Sequence, residues 1–441
     1  MLTRFVSSTA RRLIGRCLLE NNYSVTTARL QCKRTFASSA ASTFHGKSQY
    51  RFTHVLPVTA SSTKVIWNDS LTADINYLWL RDNCQCSECK HPHTGQKLFD
   101  ITRVPLDLQP QAIEMVDEGS HVRVVWDNDQ HESVYDSHWL RANGRHFFIN
   151  IPSESSKRNS RPQEIEWNQH SITENPPVMS YDEIKSSEVA LYKWISLIHR
   201  YGVAIVKGTP IEKDFILDMA ERIAYVKETS YGKYFDVVVE PKPNSHLAFS
   251  ARGLDHHTDM NYRENSPGLQ MLHCLKNNHD VSNPGGRTFF VDGLHVVSWL
   301  KKHHPSAFYT LCSIEVKFEL TTESFTYNQT KPIICLDKDG NFSEIHVNNR
   351  TMGPIQAPKE TINPFYSAYN ILMRKIRDPE LQYSLGLQPG DLVAFNNRRV
   401  LHGRSAFNSD RVSRHLVGCY VDYDEMLSKL DTLYGKGFFP K

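Results

Sequence analysis

No stretch of this chain is apolar for long enough to cross a bilayer, and 40% hydrophobic with 22% charged residues over 441 positions is the balance of an ordinary soluble protein. No Gly-x-Gly-x-x-Gly follows a strand-like segment, so a βαβ dinucleotide fold fits poorly. Basic residues outnumber acids at one end only. Residues 1–50 hold eight Lys or Arg against a single acid, Glu20, while the whole chain carries only +3, so everything after them is net acidic. That balance argues against nucleic acid as a partner. A disulfide framework is also missing: of nine cysteines, Cys274, Cys312, Cys335 and Cys419 stand singly among apolar neighbours, as buried thiols in a reducing compartment do. Only Cys84, Cys86 and Cys89 are clustered.

The basic segment is rich in Arg, Ser, Thr and Ala, and its first acid is Glu20. This composition predicts a mitochondrial transit peptide over residues 1–46 and a matrix location, with a plain basic tail on a cytoplasmic protein as the alternative. A secretory signal is a worse match, because Arg16 interrupts Leu13-Ile14 and Leu18-Leu19 before an apolar core can form.

Residues 50–150 read as a small β-rich domain. Cys84-x-Cys86-x-x-Cys89 crowds three soft ligands together, and zinc closes such a set with a fourth ligand from farther away. His91, His93 and His131 are candidates, and three unliganded surface thiols are the plain alternative. An internal echo favours His131. Val65-Ile66-Trp67-Asn68-Asp69 followed by Leu78-Trp79-Leu80-Arg81 matches Val124-Val125-Trp126-Asp127-Asn128 followed by His138-Trp139-Leu140-Arg141, and His131 lies in the second copy's turn. The many thiols point to a structural ion.

Residues 151–175 are polar and proline-bearing and read as a linker. From Ser180, helical periodicity (Val189, Tyr192, Ile195, Ile198) runs to Gly202, a buried strand follows over 203–206, and Pro210 opens a second helix carrying Phe215, Met219 and Ile223. Strand signals then dominate, at 269–274, 288–292, 316–320, 332–336, 344–347, 392–395 and 414–420, with helical inserts at 295–303 and 365–376. Residues 176–441 are therefore expected to be mainly β with flanking helices, a double-sheet jelly roll. If 255–259 is extended, His257 and Asp259 share one strand face and reach one metal. His402, far downstream, completes two imidazoles and one carboxylate, the facial set of non-haem Fe(II) oxygenases. A 2-oxo acid on that iron needs a cationic fork for its remote carboxylate. Arg414 is the first candidate, with Arg404 and Arg411 nearer in sequence and a solvated surface charge as the plain reading.

Taken together, Cys84-x-Cys86-x-x-Cys89, His257-Thr258-Asp259, Pro267-Gly268-Leu269-Gln270 with His273-Cys274, Val291-Asp292-Gly293, Asn348-Asn349, Leu401-His402-Gly403-Arg404 and Ser413-Arg414-His415-Leu416 resemble the gamma-butyrobetaine and trimethyllysine dioxygenases, in consistent order over residues 60–430. The resemblance implies a zinc-bearing N-terminal domain (Cys84, Cys86, Cys89, His131) and a catalytic double-stranded β-helix. It implies Fe(II) on His257, Asp259 and His402, 2-oxoglutarate on Arg414, ascorbate as a candidate reductant, and a homodimer. The reaction it implies is hydroxylation of a small quaternary-ammonium substrate with dioxygen, releasing succinate and carbon dioxide. An aromatic cage for the trimethylammonium falls on Tyr231, Phe235, Phe249 and Tyr420, since a group with no N–H to donate is held by ring faces. Taken singly, each of these rings reads as core. Two departures stand out: Phe235 and Phe249 replace the family's Trp and Tyr, and Asn396-Asn397-Arg398-Arg399 replaces Asp-Asn-Trp-Arg, which removes a carboxylate and an indole and adds a charge. Residues 389–391, 413–420 and 423–430 and the full cysteine triplet resemble the butyrobetaine enzyme. The basic leader and residues 228–232 and 285–288 resemble the trimethyllysine enzyme. The distal strand bears on the pocket and favours gamma-butyrobetaine; a non-catalytic jelly-roll interaction protein is the alternative of another class.

Overall fold

The computed structural model describes residues 50–59, 61–150, 161–238, 253–277, 286–406 and 414–438. The leader, the first part of the expected linker, Phe249 and Arg411 lie outside them. The chain divides into two compact units between Ser156 and Lys157.

In the first unit the internal echo is a repeated hairpin and helix. Ser62–Trp67, Thr72–Asn76 and Tyr77–Asp82 form one copy, and His121–Trp126, Glu132–Asp136 and Ser137–Asn143 form the other. Strict alternation buries Val65, Trp67, Ala73 and Ile75 in the first copy and Val122, Val124 and Trp126 in the second. Both helices start on the same device: the Asn76 side chain accepts from the Trp79 N–H, and Asp136 from the Trp139 N–H. The copies are then cross-clamped. Arg81 of the first reaches Asp129 in the second's turn at 2.9 Å, and Arg141 of the second reaches Asp69 in the first's turn at 3.0 Å.

The second unit is mixed α/β rather than mainly β. Its larger sheet runs Phe235–Val238, Arg414–Val421, Leu269–Asn277, Leu392–Asn396, Val203–Lys207, Val178–Ser180, antiparallel except for the last pair. A four-stranded sheet, Leu254–His257, Val400–Arg404, Thr288–Asp292, Tyr383–Leu385, faces it, and the rings of Phe290 and Phe395 meet between them at 5.2 Å. The larger sheet resembles a double-stranded β-helix core, although among the described residues it and the facing sheet are open and do not close into a barrel. Helices make up a full layer. Glu188–Tyr201, Phe215–Glu221 and Tyr423–Gly435 cover the large sheet's outer face through Leu191, Ile195, Met219, Met426 and Leu430 against Met271, Ala394 and Cys419.

Several local expectations shift in the structure. Ser180 caps only the short helix Tyr181–Ser186, and Ser187 caps the long one, which ends at Gly202 with φ +72. Val189 is 40% exposed and lies off the buried stripe. The second helix begins at Phe215 and ends before Ile223, well after Pro210. Residues 161–175 are not bare linker: Trp167 is buried in the second unit's core and Gln169–Glu174 is a helix with a capping box. A helix at Pro305–Ser313 went unread.

Candidate active site

The register of the four-stranded sheet sets His257 directly opposite His402. Their rings lie 4.2 Å apart. The third member arrives differently from the strand-face expectation. The strand Leu254–His257 ends before Asp259, and Met260 takes φ +57, so Asp259 projects from a bend. The bend is pinned: the Thr258 N–H donates to the Val347 carbonyl at 2.7 Å, and the Asn348 amide donates to the Thr258 carbonyl at 3.2 Å. The Asp259 carboxylate then sits 3.4 Å from His257 Nε2 and 3.7 Å from His402 Nε2. His257 Nδ1 is 2.8 Å from the Asp255 carbonyl; this bond holds the proton on Nδ1 and leaves the Nε2 lone pair facing Asp259.

Electrostatics favour a cation among these three. Burial and His257 push His402 down to about 3, so it is neutral at ordinary pH. Burial raises the Asp259 carboxyl, and His257 and His402 lower it by more, leaving it below the usual carboxylate range. An ionised carboxylate between inward-facing ring nitrogens, with all ligand atoms within 4.8 Å of one another, is a 2-His-1-carboxylate set suited to Fe(II) with open positions.

The set opens into a cavity of about 480 Å³. Period-two alternation along Arg414–Val421 turns Arg414, Leu416 and Tyr420 into it, and the same rule turns His402 and Arg404 inward from Val400–Arg404. Arg414 donates to the Thr288 hydroxyl at 3.1 Å. Burial and neighbouring Arg404 push the Arg414 pKa down to about 9, and burial and Arg350 push Arg404 to about 10. Two crowded guanidinium groups form a cationic end that an anion relieves. The opposite character comes from Tyr231, Phe235, Tyr262 and Tyr420. Phe235 stacks on Tyr420 at 5.2 Å and lies 6.2 Å from Tyr231. Gly418 makes this stack fit, since a Cβ there would stand 2.4 Å from the Phe235 ring.

Three of the four expected cage residues are thus brought together, and Phe249 lies outside the described residues. Tyr262 and Arg350 line the cavity without having been singled out. The first sits three positions beyond Asp259, and the second follows Asn348-Asn349, so proximity to the motifs was the available signal. The charge added at Arg398 does not reach the cavity lining: Arg398 pairs with Glu344 at 3.1 Å and donates to the Ser266 carbonyl.

In the first unit Cys84, Cys86 and Cys89 converge on His131 Nε2, with sulfur to nitrogen distances of 3.4, 3.6 and 3.4 Å. Zn–S bonds of about 2.3 Å and Zn–N bonds of about 2.0 Å give tetrahedral edges of roughly 3.5 Å, so the four fit one zinc ion. Burial pushes the Cys84 thiol up to about 12 and lowers His131, a state that zinc corrects by replacing protons on sulfur. Neither His91 nor His93 joins the cluster.

With this geometry in place, residues 54–141 match the family described as gamma-butyrobetaine hydroxylase-like, N-terminal, and residues 169–420 match the taurine catabolism dioxygenase TauD, TfdA family. Gamma-butyrobetaine dioxygenase of Pseudomonas sp. (strain AK-1) is 35% identical over 371 residues, covering 84% of this chain and 93% of the relative. Trimethyllysine dioxygenase of Meyerozyma guilliermondii is 28% identical, with 84% and 93% covered. Dioxygenase str8 of Strobilurus tenacellus is 31% identical, with 79% and 82% covered. The chain belongs to the TauD, TfdA family, is related to the gamma-butyrobetaine and trimethyllysine dioxygenases, and is an Fe(II)- and 2-oxoglutarate-dependent dioxygenase.

Proposed function

We propose that this dioxygenase hydroxylates gamma-butyrobetaine to L-carnitine. Bound Fe(II) supplies the dioxygen chemistry and 2-oxoglutarate the reducing equivalents. Arg414, steadied by Thr288, takes the far carboxylate of 2-oxoglutarate, and the rings of Tyr231, Phe235 and Tyr420 take the trimethylammonium by cation–π contact. The catalytic unit is a double-stranded β-helix, and the Cys84, Cys86, Cys89 and His131 cluster holds zinc to keep the first unit folded. The basic leader supports a matrix address.

The observation that carries the substrate reading is the polarity of the cavity: an aromatic wall suits a quaternary ammonium, and the exposed Arg350 in its lining suits a carboxylate. N6-trimethyllysine, the second reading, brings an additional α-ammonium. Asp259 is the single carboxylate among the described lining residues, and it belongs to the metal set. The trimethyllysine enzyme of M. guilliermondii, at 28% identity, keeps that reading in play. Purified protein with Fe(II) and 2-oxoglutarate, given each betaine separately, tests the choice by product mass. Oxygen added to gamma-butyrobetaine with N6-trimethyllysine unchanged supports the proposal; the reverse overturns it.

A further inference from the structure

Of the three metal-set residues, Asp259 alone has no strand to hold it, because the strand carrying His257 stops short and the backbone turns through a positive φ at Met260. A non-glycine residue in that conformation persists only where its surroundings over-determine it. A carboxylate also rotates easily about its last torsion, which is broad and roughly two-fold. Something besides the local chain must therefore fix both the peptide and the carboxylate plane.

Two side chains do so. The Asn397 amide meets the Asp259 peptide on both sides: the Asp259 N–H donates to Asn397 Oδ1 at 2.7 Å, and Asn397 Nδ2 donates to the Asp259 carbonyl at 3.0 Å. The same Nδ2 donates to the Pro267 carbonyl at 3.1 Å, and the Asn397 N–H bonds the Gly268 carbonyl at 2.8 Å, tying the two ends of the 259–267 loop together. Asn397 is 1% exposed, and only an amide offers one acceptor and two donors in a single uncharged planar group. The second side chain acts on the carboxylate. Tyr420 donates its O–H to Asp259 Oδ2 at 3.0 Å, while Oδ1 is the oxygen nearest His257 Nε2. Asn397 directly follows the strand Leu392–Asn396, and Tyr420 belongs to Arg414–Val421; both strands pair with Leu269–Asn277, so the two groups share one rigid frame.

We propose that Asn397 and Tyr420 are positioning residues that jointly aim one oxygen of the Asp259 carboxylate at the metal. Tyr420 thereby has two separable parts: a ring face for the substrate wall and a hydroxyl for the metal set. The inference rests on His257, Asp259 and His402 being the ligands.

Zinc-loaded, iron-free full-length protein is titrated with Mn(II), and free Mn(II) is read by electron paramagnetic resonance, for wild type, Tyr420→Phe, Asn397→Ala and Asp259→Ala. Loss of an outer-shell partner typically costs 10–100-fold in metal affinity, so Tyr420→Phe and Asn397→Ala are each expected to weaken Mn(II) binding by about 10-fold or more. Tyr420→Phe keeps its ring and is expected to hold the metal-free unfolding temperature, which separates aiming from general destabilisation. If Asn397→Ala does not fold, Tyr420→Phe decides alone. Mn(II) affinity within twofold of wild type in Tyr420→Phe, with Asp259→Ala clearly weakened, overturns the positioning role. Unchanged affinity in Asp259→Ala overturns the ligand reading and this inference with it.

Discussion

The ion pair behind His402 allows a stability prediction worked from geometry. Arg399 is 1% exposed and Asp292 is also 1% exposed; the guanidinium grips the carboxylate with Nε to Oδ1 at 2.9 Å and Nη2 to Oδ2 at 2.9 Å. Every remaining polar valence is used. Arg399 also donates to the carbonyls of Arg200 and Ile165 and, at 3.5 Å, to the Glu164 carboxylate, and Asp292 accepts from the N–H groups of Trp167 and Leu294, the latter capping the helix Gly293–His303. Asp292 pairs in register with Val400, at the start of the strand that carries His402. Asp292→Asn keeps the shape but leaves the buried guanidinium only the weaker, half-exposed Glu164 as counter-charge, 3.5 Å away, at a cost near the lower end of about 3–5 kcal/mol. That is a large part of a typical domain's stability, and it lowers Tm by roughly 10 °C. Urea unfolding followed by circular dichroism measures it. The double change Asp292→Leu with Arg399→Met removes both charges but orphans the Trp167 and Leu294 N–H groups and the Arg200 and Ile165 carbonyls, so it is expected to be more stable than the two singles summed and still less stable than wild type. A loss under about 1 kcal/mol for Asp292→Asn, or a double variant as unstable as the two singles summed, refutes this reasoning.

Replacing Arg414 with Lys removes the fork geometry, and losing about 1.5–3 kcal/mol of charge-assisted bonding predicts a 2-oxoglutarate KM raised roughly 10- to 150-fold with the betaine KM little changed, by steady-state kinetics. His273 is fully buried and accepted as a neutral ring, its Nε2 3.0 Å from the Thr209 hydroxyl. Burial lowers its pKa to about 4, below the unfolded value near 6.5; stability is thus fully present above pH 6.5 and falls by about 3 kcal/mol as pH drops toward 4. Unfolding of His273→Gln followed against pH checks this, with a flatter curve expected over that window. Chelating zinc, or replacing Cys84 with Ser, is expected to unfold the first unit while the second keeps its structure. Intrinsic fluorescence reports it, because Trp67, Trp79, Trp126 and Trp139 all lie in the first unit.

Much of the site was legible because its chemistry is written in residue type. Cysteine spacing marked the three thiols and the repeat favoured His131, which the structure brings to them. His257 and His402 were legible as residue types, and the pairing that sets them opposite each other follows from sheet register, which no local pattern encodes. Asp259 was found for a reason that failed: the i, i+2 rule assumed a strand that ends too early, and the hydrogen bonds that replace it come from Asn397, Val347 and Asn348. The same holds for Asn396-Asn397-Arg398-Arg399. Its departure from the family's pattern looked like a change near iron, whereas the charge it adds, Arg398, is neutralised by Glu344. The helical share was underestimated at two places: Pro305–Ser313 is short, with too few buried residues to show a period, whereas Tyr423–Gly435 buries Met426, Leu430 and Leu433 at helical spacing, a signal present in the sequence.

The most direct test supplies the enzyme with isotopically heavy dioxygen, Fe(II), 2-oxoglutarate and gamma-butyrobetaine, and follows both products by mass. One heavy oxygen in succinate and one in the hydroxylated betaine, both abolished by Asp259→Ala, is the predicted result. Succinate formed by Asp259→Ala at the wild-type rate would contradict the site at His257, Asp259 and His402.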